Sequence, residues 1–522
     1  MISLYLINQF EPNMWNFIRQ NNYFLFDLYI FLFIFSYGIY ILTTGWLIQD
    51  KICRNLFNQS RTFCEYINEK DRFDENEIII RDEILAFGAM FNNYANLIKT
   101  LPMFAWSLFV GSFLDRFPNA TKILFIWMNI IQIFEYIFNI ANAYYFELSP
   151  YYLLLVNLTV CLTGGMTTFL AAINRCIVVN SSPEFHAIYF TILHVILVIA
   201  PSLGTLIAGS NIHFLDDNEQ NTQLRNYNQN FIIMLGISLV SLLMILLIKV
   251  ERDETMKETI GDSDSEALIS PDMNNNISDN TNQSVNGISQ RLFTVRETKF
   301  GKIRKIIRTF FDFENVRQTY HCFIKPRPIH AREQIFFMVF ILFLFLTNMT
   351  GIDSIFLQFS QQVYQLDAQE YSFISVYIKI LPTIVLLISS YVLINKLQLK
   401  DGTMFALTIT SGFISQVLIG TFPNLLIFLV AIFIGALFNL ATIVIKTKMA
   451  KIVAADEAGK IFSMTSTLES LSPTLGALIF STIFASSISF YPTMCFHIAA
   501  LITVISLILA LFQDVYFKNY DQ

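Results

Sequence analysis

Twelve long apolar stretches, six on each side of one polar connector of about eighty residues (251–333), leave few folds open to this chain. A helix that crosses the ~30 Å hydrocarbon layer needs roughly 20 mostly apolar residues. The stretches 23–48, 84–113, 123–146, 151–179, 187–208 and 231–250 precede the connector, and 335–359, 371–394, 403–419, 424–445, 461–484 and 492–512 follow it. In hydrocarbon each backbone N–H and C=O needs a partner within its own element, so uniform runs of this length are predicted as helices. The expected fold class is an all-α membrane protein with twelve transmembrane helices in two six-helix bundles, residues 1–250 and 334–522, joined by a partly disordered cytosolic connector at 251–333.

Composition narrows function as well as fold. With 54% hydrophobic residues, 14% charged and a mean hydropathy of +0.52, the chain exceeds what a soluble fold of 522 residues exposes or buries. A net charge of −6, with most Lys and Arg in a few connectors, gives no electrostatic footprint for nucleic acid. Six cysteines are too few for a disulfide-framework fold. No P-loop, H-E-x-x-H, G-x-S-x-G or paired-cysteine metal spacing occurs, so neither an enzyme nor a cofactor or metal is expected. Met1–Asn22 has Glu11 and scattered polar residues but no basic n-region or small-residue cleavage site, so the first apolar run is expected to remain a helix.

Between the first two stretches lies 49–83, which carries Cys53, Cys64 and the sequon Asn58-Gln59-Ser60. These suit an oxidising, glycosylating face, and a local Cys53–Cys64 disulfide is the expected pairing, two free thiols being the alternative. Further sequons at Asn157 and Asn348 fall inside predicted helices, and those at Asn276 and Asn282 in the connector, so all four are read as chance. Short cytoplasmic loops hold the positive charge of membrane proteins. In the second half Lys396, Lys400, Lys446, Lys448, Lys451 and Lys460 lie on one side, while the opposite loops have no Lys or Arg. Both termini and the connector are therefore expected in the cytosol, with Asn58 outside. The connector has nine acids against two bases in 251–290, then eleven bases against three acids in 291–332. Phe293, Phe300, Ile303 and Phe310 among those bases suggest an amphipathic helix on the anionic inner leaflet, with a solvated linker as the plain alternative.

Between the second and third stretches stands Gly111-Ser112-Phe113-Leu114-Asp115-Arg116, followed by Lys122. Gly permits a tight turn, Asp caps or pairs, and Arg anchors at headgroups. Twelve helices in two halves with this loop in this place resemble the major facilitator superfamily, and the resemblance implies a gating loop at Gly111, Asp115 and Arg116. Residues 445–453 (Ile-Lys-Thr-Lys-Met-Ala-Lys-Ile-Val), 456–463 (Asp-Glu-Ala-Gly-Lys-Ile-Phe-Ser) and 469–473 (Glu-Ser-Leu-Ser-Pro), with Leu162-Thr163-Gly164-Gly165 and Asp50-Lys51-Ile52-Cys53, are similar to the proton-coupled folate transporter and its relatives (solute carrier family 46-like). That resemblance implies alternating access, a small organic solute and coupling to protons, and it spans the helices rather than the connector. The family's helix-ten Arg is Lys446 here, its helix-five Glu falls on or near Thr191, and its helix-seven His on or near Asn348, while Asp353 matches a family Asp.

Ionisable groups within lipid-length helices are costly, so each faces a cavity or snorkels to an interface. Lys99 and Glu135 lie far from any helix end and read either as a buried structural pair or as substrate or proton groups. Lys379, beside Pro382, has the same standing. Arg175 and Lys446 lie nearer ends, where snorkelling is the plainer reading. His194 titrates near neutral pH in its unperturbed form and is a coupling candidate. Substrate contacts are expected among Tyr94, Lys99, Glu135, Asn174, Arg175, Asp353, Gln358, Lys379, Asn439 and Lys446, whose several cations suit a carboxylate-bearing solute. The expected partners are that solute, protons and membrane lipid, and the expected state is a monomer. An uncoupled uniporter and a non-transporting scaffold or receptor of the same fold both stay open, as do plasma membrane and endolysosome.

Overall fold

The structure, a computed structural model, describes residues 23–116, 120–180, 186–215, 223–248, 330–397, 401–452 and 455–518, with positions 317 and 399 standing alone. The first 22 residues, the connector up to 329 apart from position 317, and residues 117–119 lie outside the described residues, and with them the suggested amphipathic segment and the sequons at Asn276 and Asn282.

Among the described residues the regular elements are helical, apart from one isolated bridge between Phe214 and Arg225. Helix α1 is Tyr23–Lys51, continued by a π turn Ile52–Leu56; α2 is Glu75–Arg116; α3 is Ala120–Tyr144. Helix α4 runs through Tyr151–Val156, a 3-10 turn Asn157–Thr159, Val160–Thr163 and Gly165–Asn180. Then come α5 (His186–Asn211), α6 (Tyr227–Leu247), α7 (Ala331–Val363), α8 (Ala368–Ser390) and α9 (Asp401–Thr421). Helix α10 is Leu425–Ile434, a 3-10 turn Gly435–Asn439 and Leu440–Ile452, followed by α11 (Ala455–Ser487) and α12 (Met494–Lys518). These stand at the twelve apolar stretches of the sequence. Eleven helices are long and apolar enough to span a membrane by length and composition. The other, α2, has Asn92, Asn93, Asn96 and Lys99 along its middle, which dilutes its hydropathy, and it begins nine residues before its apolar stretch.

Three packing devices recur in the two halves. Small residues bring helices into backbone contact: a Cβ on Gly204 of α5 would meet the Phe35 carbonyl and Ile39 N of α1, and one on Gly476 of α11 would meet the Thr347 carbonyl and Gly351 N of α7. The run 200–209, with Pro201 and Gly204, thus serves close approach. Side-chain hydrogen bonds then staple three helices of each half. Asn129 of α3 donates to Tyr29 of α1 at 2.7 Å and accepts from Ser241 of α6 at 2.9 Å. Asn348 of α7 donates to Thr503 of α12 at 2.9 Å, which donates to Gln416 of α9 at 2.7 Å. Each such bond adds on the order of 0.6 kcal/mol in a membrane. Lastly, α4 and α10 both interrupt their α-helix with a 3-10 turn.

The apolar core is not evenly shared. At the end that bears the Cys53–Cys64 disulfide, one cluster joins Ile39, Trp46, Ile84 and Phe91 with Ile355, Phe359, Phe480 and Phe484 from beyond the connector. At the opposite end there are two separate clusters, one around Tyr29, Phe125, Phe169 and Ile245, the other around Ile335, Phe345, Phe438 and Met449. Among the described residues the halves share one core at the disulfide end and keep separate clusters at the other.

Polar groups seal the fused end. Arg81 is wholly buried, donating to the Ile67 carbonyl at 2.6 Å, to Asp82 at 3.0 Å, to the Gln361 carbonyl of α7 at 3.1 Å, and to the Gln362 side chain. The side-chain amides of Gln49 and Gln361 in this seam are buried without a hydrogen-bond partner among the described residues. The loops above the first half are tied to one another: Asp50 accepts from Arg225 at 2.5 and 2.6 Å and from the Tyr227 hydroxyl, and Lys51 donates to the Leu148 carbonyl at 3.0 Å. Burial works against the Arg225 charge, and Asp50 and Tyr227 outweigh it, holding the guanidinium above its ordinary pKa.

Candidate functional site

The break in α4 sets the site. Gly164 and Gly165 take φ of +70° and +59°, a left-handed backbone that residues with a Cβ adopt only at a cost. A Cβ on Gly164 would also meet the Trp106 side chain of α2 at 2.6 Å. The turn leaves carbonyls of α4 without helical donors. The indole N–H groups of Trp106 and of Trp127 from α3 supply them, at 3.1 Å to Cys161 and 3.0 Å to Leu162.

Above the break, α1 to α4 enclose about 640 Å³ of atom-free space, its open mouth included. Phe33, Tyr37 and Tyr40 of α1 line it from one helix face at i, i+4 and i+7 spacing. Lys99 of α2 enters with its ammonium 5.8 Å from the centre of the Tyr40 ring. Glu135 of α3 enters from the other side, accepting a hydrogen bond from the Thr159 hydroxyl in the 3-10 turn of α4. Lys99 and Glu135 interact electrostatically but form no ion pair, and Lys99 donates no hydrogen bond among the described residues. The two groups weighed from the sequence as a buried pair thus lie within electrostatic reach, without a direct ion pair among the described residues. They share a cavity with their charges apart.

The other half contributes a second set. Asp353 of α7 and Lys379 of α8 lie within electrostatic reach of one another. Ionisable groups of opposite charge set within reach of one another inside spans mark the bundle interior rather than the lipid face. Gln358, buried, meets Asn92 of α2 at 3.4 Å and belongs to the seam at the fused end. Lys446 of α10 forms an ion pair with Glu469 of α11 at 2.7 Å, so it is paired across helices rather than snorkelling alone.

The remaining candidates are dispersed. Arg175 reaches Thr121 at the start of α3 at 3.1 Å, and the neighbouring Asn174 is exposed. Tyr94 is 43% exposed and does not line the cavity. His194 is exposed on α5, and the side chain at Thr191 is outside the description. Asn439 ends the 3-10 turn of α10, its carbonyl accepting from Thr442 at 3.0 Å. Gly111, Asp115 and Arg116 are helical at the end of α2, with the side chains outside the described set. Cys53 and Cys64 are disulfide-bonded with Cα atoms 5.9 Å apart. Asn58, exposed at φ 51°, stands between them in a turn that Asn tolerates well. Asn157 and Asn348 are buried. No group of three or more His, Cys, Asp or Glu suited to a metal ion occurs among the described residues.

Sequence reasoning missed Thr159, Tyr37, Tyr40 and Gln132 as cavity partners, and Glu469 as the partner of Lys446. Only Glu469 carried a signal, as an acid inside a predicted span.

A family model described as Major Facilitator Superfamily matches residues 91–414, more than half of the chain. A search of curated proteins gives no match. Among solved structures, the nucleoside transporter NupG superposes with a TM-score of 0.56 at 12% identity, covering 95% of this chain and 98% of its own. A bacterial homologue of the human lysosomal transporter Spinster, in an inward-facing and occupied conformation, gives 0.54 at 10% identity, covering 96% of each chain. The human organic anion transporter MFSD10 (TETRAN) gives 0.53 at 9% identity, over 93% of this chain and 98% of its own. At such identities the likeness concerns the fold alone.

Proposed function

This chain belongs to the Major Facilitator Superfamily, and from that premise we propose that it is a secondary transporter that carries a small, carboxylate-bearing organic solute across a membrane by alternating access. The observation that carries the reading is the uneven core: one apolar cluster fuses the halves at the disulfide end, while the described residues at the other end form two clusters without contact. A pair of bundles that can part at either end is the machine alternating access requires. With Asn58 and the Cys53–Cys64 loop outside, the arrangement is closed outside and open inside, and both termini and the connector are cytosolic. The Spinster homologue, which superposes on this chain, is likewise described as inward-facing.

Carboxylate recognition falls to Lys99 and Lys379, mid-span cations that no direct ion pair neutralises among the described residues. The resemblance to the folate carrier family supports the same solute class, although Lys446, at the family's Arg position, is engaged by Glu469. Glu135, held by Thr159 in the cavity, is the group through which a proton would be coupled.

Uptake of radiolabelled organic carboxylates into proteoliposomes, at two external pH values, tests the proposal. Accumulation above equilibrium when the outside is acidified is the expected result. Equilibration without accumulation would identify a uniporter, and no uptake of any carboxylate would contradict the reading. Orientation has its own check: expressed in a secretory-competent cell, the protein should lose mass on deglycosylation, and Asn58→Gln should remove that shift. An unglycosylated Asn58 reached only by cytosolic reagents would reverse the topology.

A further inference from the structure

Lys99 and Glu135 hold opposite charges in one cavity without pairing, and each is held in place by a different neighbour. Tyr40 lies beneath the ammonium, 5.8 Å away, and Thr159 donates to the carboxylate. Among the described residues, one carboxylate oxygen and the whole ammonium are left for something else. A solute with a carboxylate alone would satisfy Lys99 and bring its charge toward Glu135, where like charges repel strongly in a low-dielectric site. A solute with a cationic group alone would meet the converse at Lys99. The same balance recurs at Asp353 and Lys379 in the other half.

We infer that the solute is a zwitterion of amino-acid type, its carboxylate held by Lys99 and its ammonium by Glu135. The inference rests on the transport reading above and names the substrate class within it. The rest of the cavity fits a variable apolar side chain. Met103, Met128 and Met166 line it beside Phe33, and methionine's flexible thioether adapts to different shapes. Neutral hydrogen-bonding groups, Gln132 and Asn157, complete the polar side. The expected selectivity is therefore for the paired charges and loose for what hangs between them.

The test uses the purified full-length protein and matched probes: alanine, leucine and phenylalanine, each with the acid that lacks the amine and the amine that lacks the carboxylate. Binding is read by thermal stabilisation, and transport by uptake into proteoliposomes. The expected result is that the best amino acid binds at least about tenfold tighter than both of its counterparts, which is about 1.4 kcal/mol. Glu135→Gln should bring the amino acid and the acid to within about twofold of each other, and Lys99→Gln should do the same for the amino acid and the amine. Glu135→Asp, which keeps the charge, should keep the preference and so guards against misfolding of the Gln variant. Acids that bind and accumulate as well as the amino acids would overturn the zwitterion while leaving the transporter reading intact. If no probe of any class binds or enters, both readings fall.

Discussion

Lys99→Gln and Lys379→Gln should each reduce carboxylate uptake by roughly tenfold to a hundredfold, and the double variant should abolish it, while surface labelling of the protein stays at the wild-type level. The size follows from a hydrogen bond to a charged group, about 1.5–3 kcal/mol when one partner is lost. The unaffected folding follows from the structure. Neither Lys99 nor Lys379 donates a hydrogen bond or forms a direct ion pair among the described residues, so Gln breaks no such contact and removes only the electrostatic neighbour of Glu135 or Asp353. The nearby aromatic contact at Tyr40 is lost with the charge, at a cost of about 0.5–1 kcal/mol. Uptake that is unchanged in the double variant would remove the cavity from the mechanism.

A second large effect is expected far from the cavity. Asp50→Asn should destabilise the protein by about 3–5 kcal/mol, because it leaves the Arg225 guanidinium buried without its counter-charge. The Asp50 and Arg225 side chains are 1% and 4% exposed, and Tyr227 donates to the same carboxylate, so little water can replace what is removed. The Arg225 guanidinium also lies 4.6 Å from the Trp46 ring and 4.5 Å from the Phe214 ring, which fixes it in place. Thermal unfolding of the purified variant, followed by tryptophan fluorescence, reads the loss directly. Replacing both partners, Asp50→Leu with Arg225→Met, should recover much of it, since paired apolar side chains avoid the uncompensated charge. A single variant as stable as the wild type would mean that water reaches the pair.

The fold was legible in the sequence because hydrocarbon imposes a length and a periodicity on each crossing, and both are local. The stretch at 231–250 reads as a helix without reference to any other residue, and it is one, as Tyr227–Leu247. Helix α2 extends to Glu75 because its outer turns bury Arg81 against α7, a tertiary contact that no local window contains. Lys99 and Glu135 were found because an ion far from a helix end is costly wherever it occurs. Their separation was not legible, since it depends on where Thr159 and Tyr40 bring their own side chains. For the same reason Lys446 read as a snorkelling end residue until α11 placed Glu469 beside it. Asp50 was quoted as part of a motif, yet its partner Arg225 lies 175 positions away in a loop without periodicity.

Alternating access requires the two halves to part at one end as they meet at the other. Spin-label distances across the protein in lipid nanodiscs measure this most directly, with one pair at Glu77 and Gln369 on the disulfide end and one at Ile123 and Lys396 on the opposite end. Without solute, the first pair should be close and the second far apart. On adding a transported carboxylate, a second population should appear with the order reversed, the first distance growing as the second shrinks. Both distances fixed under every solute and pH condition that supports uptake would contradict alternating access.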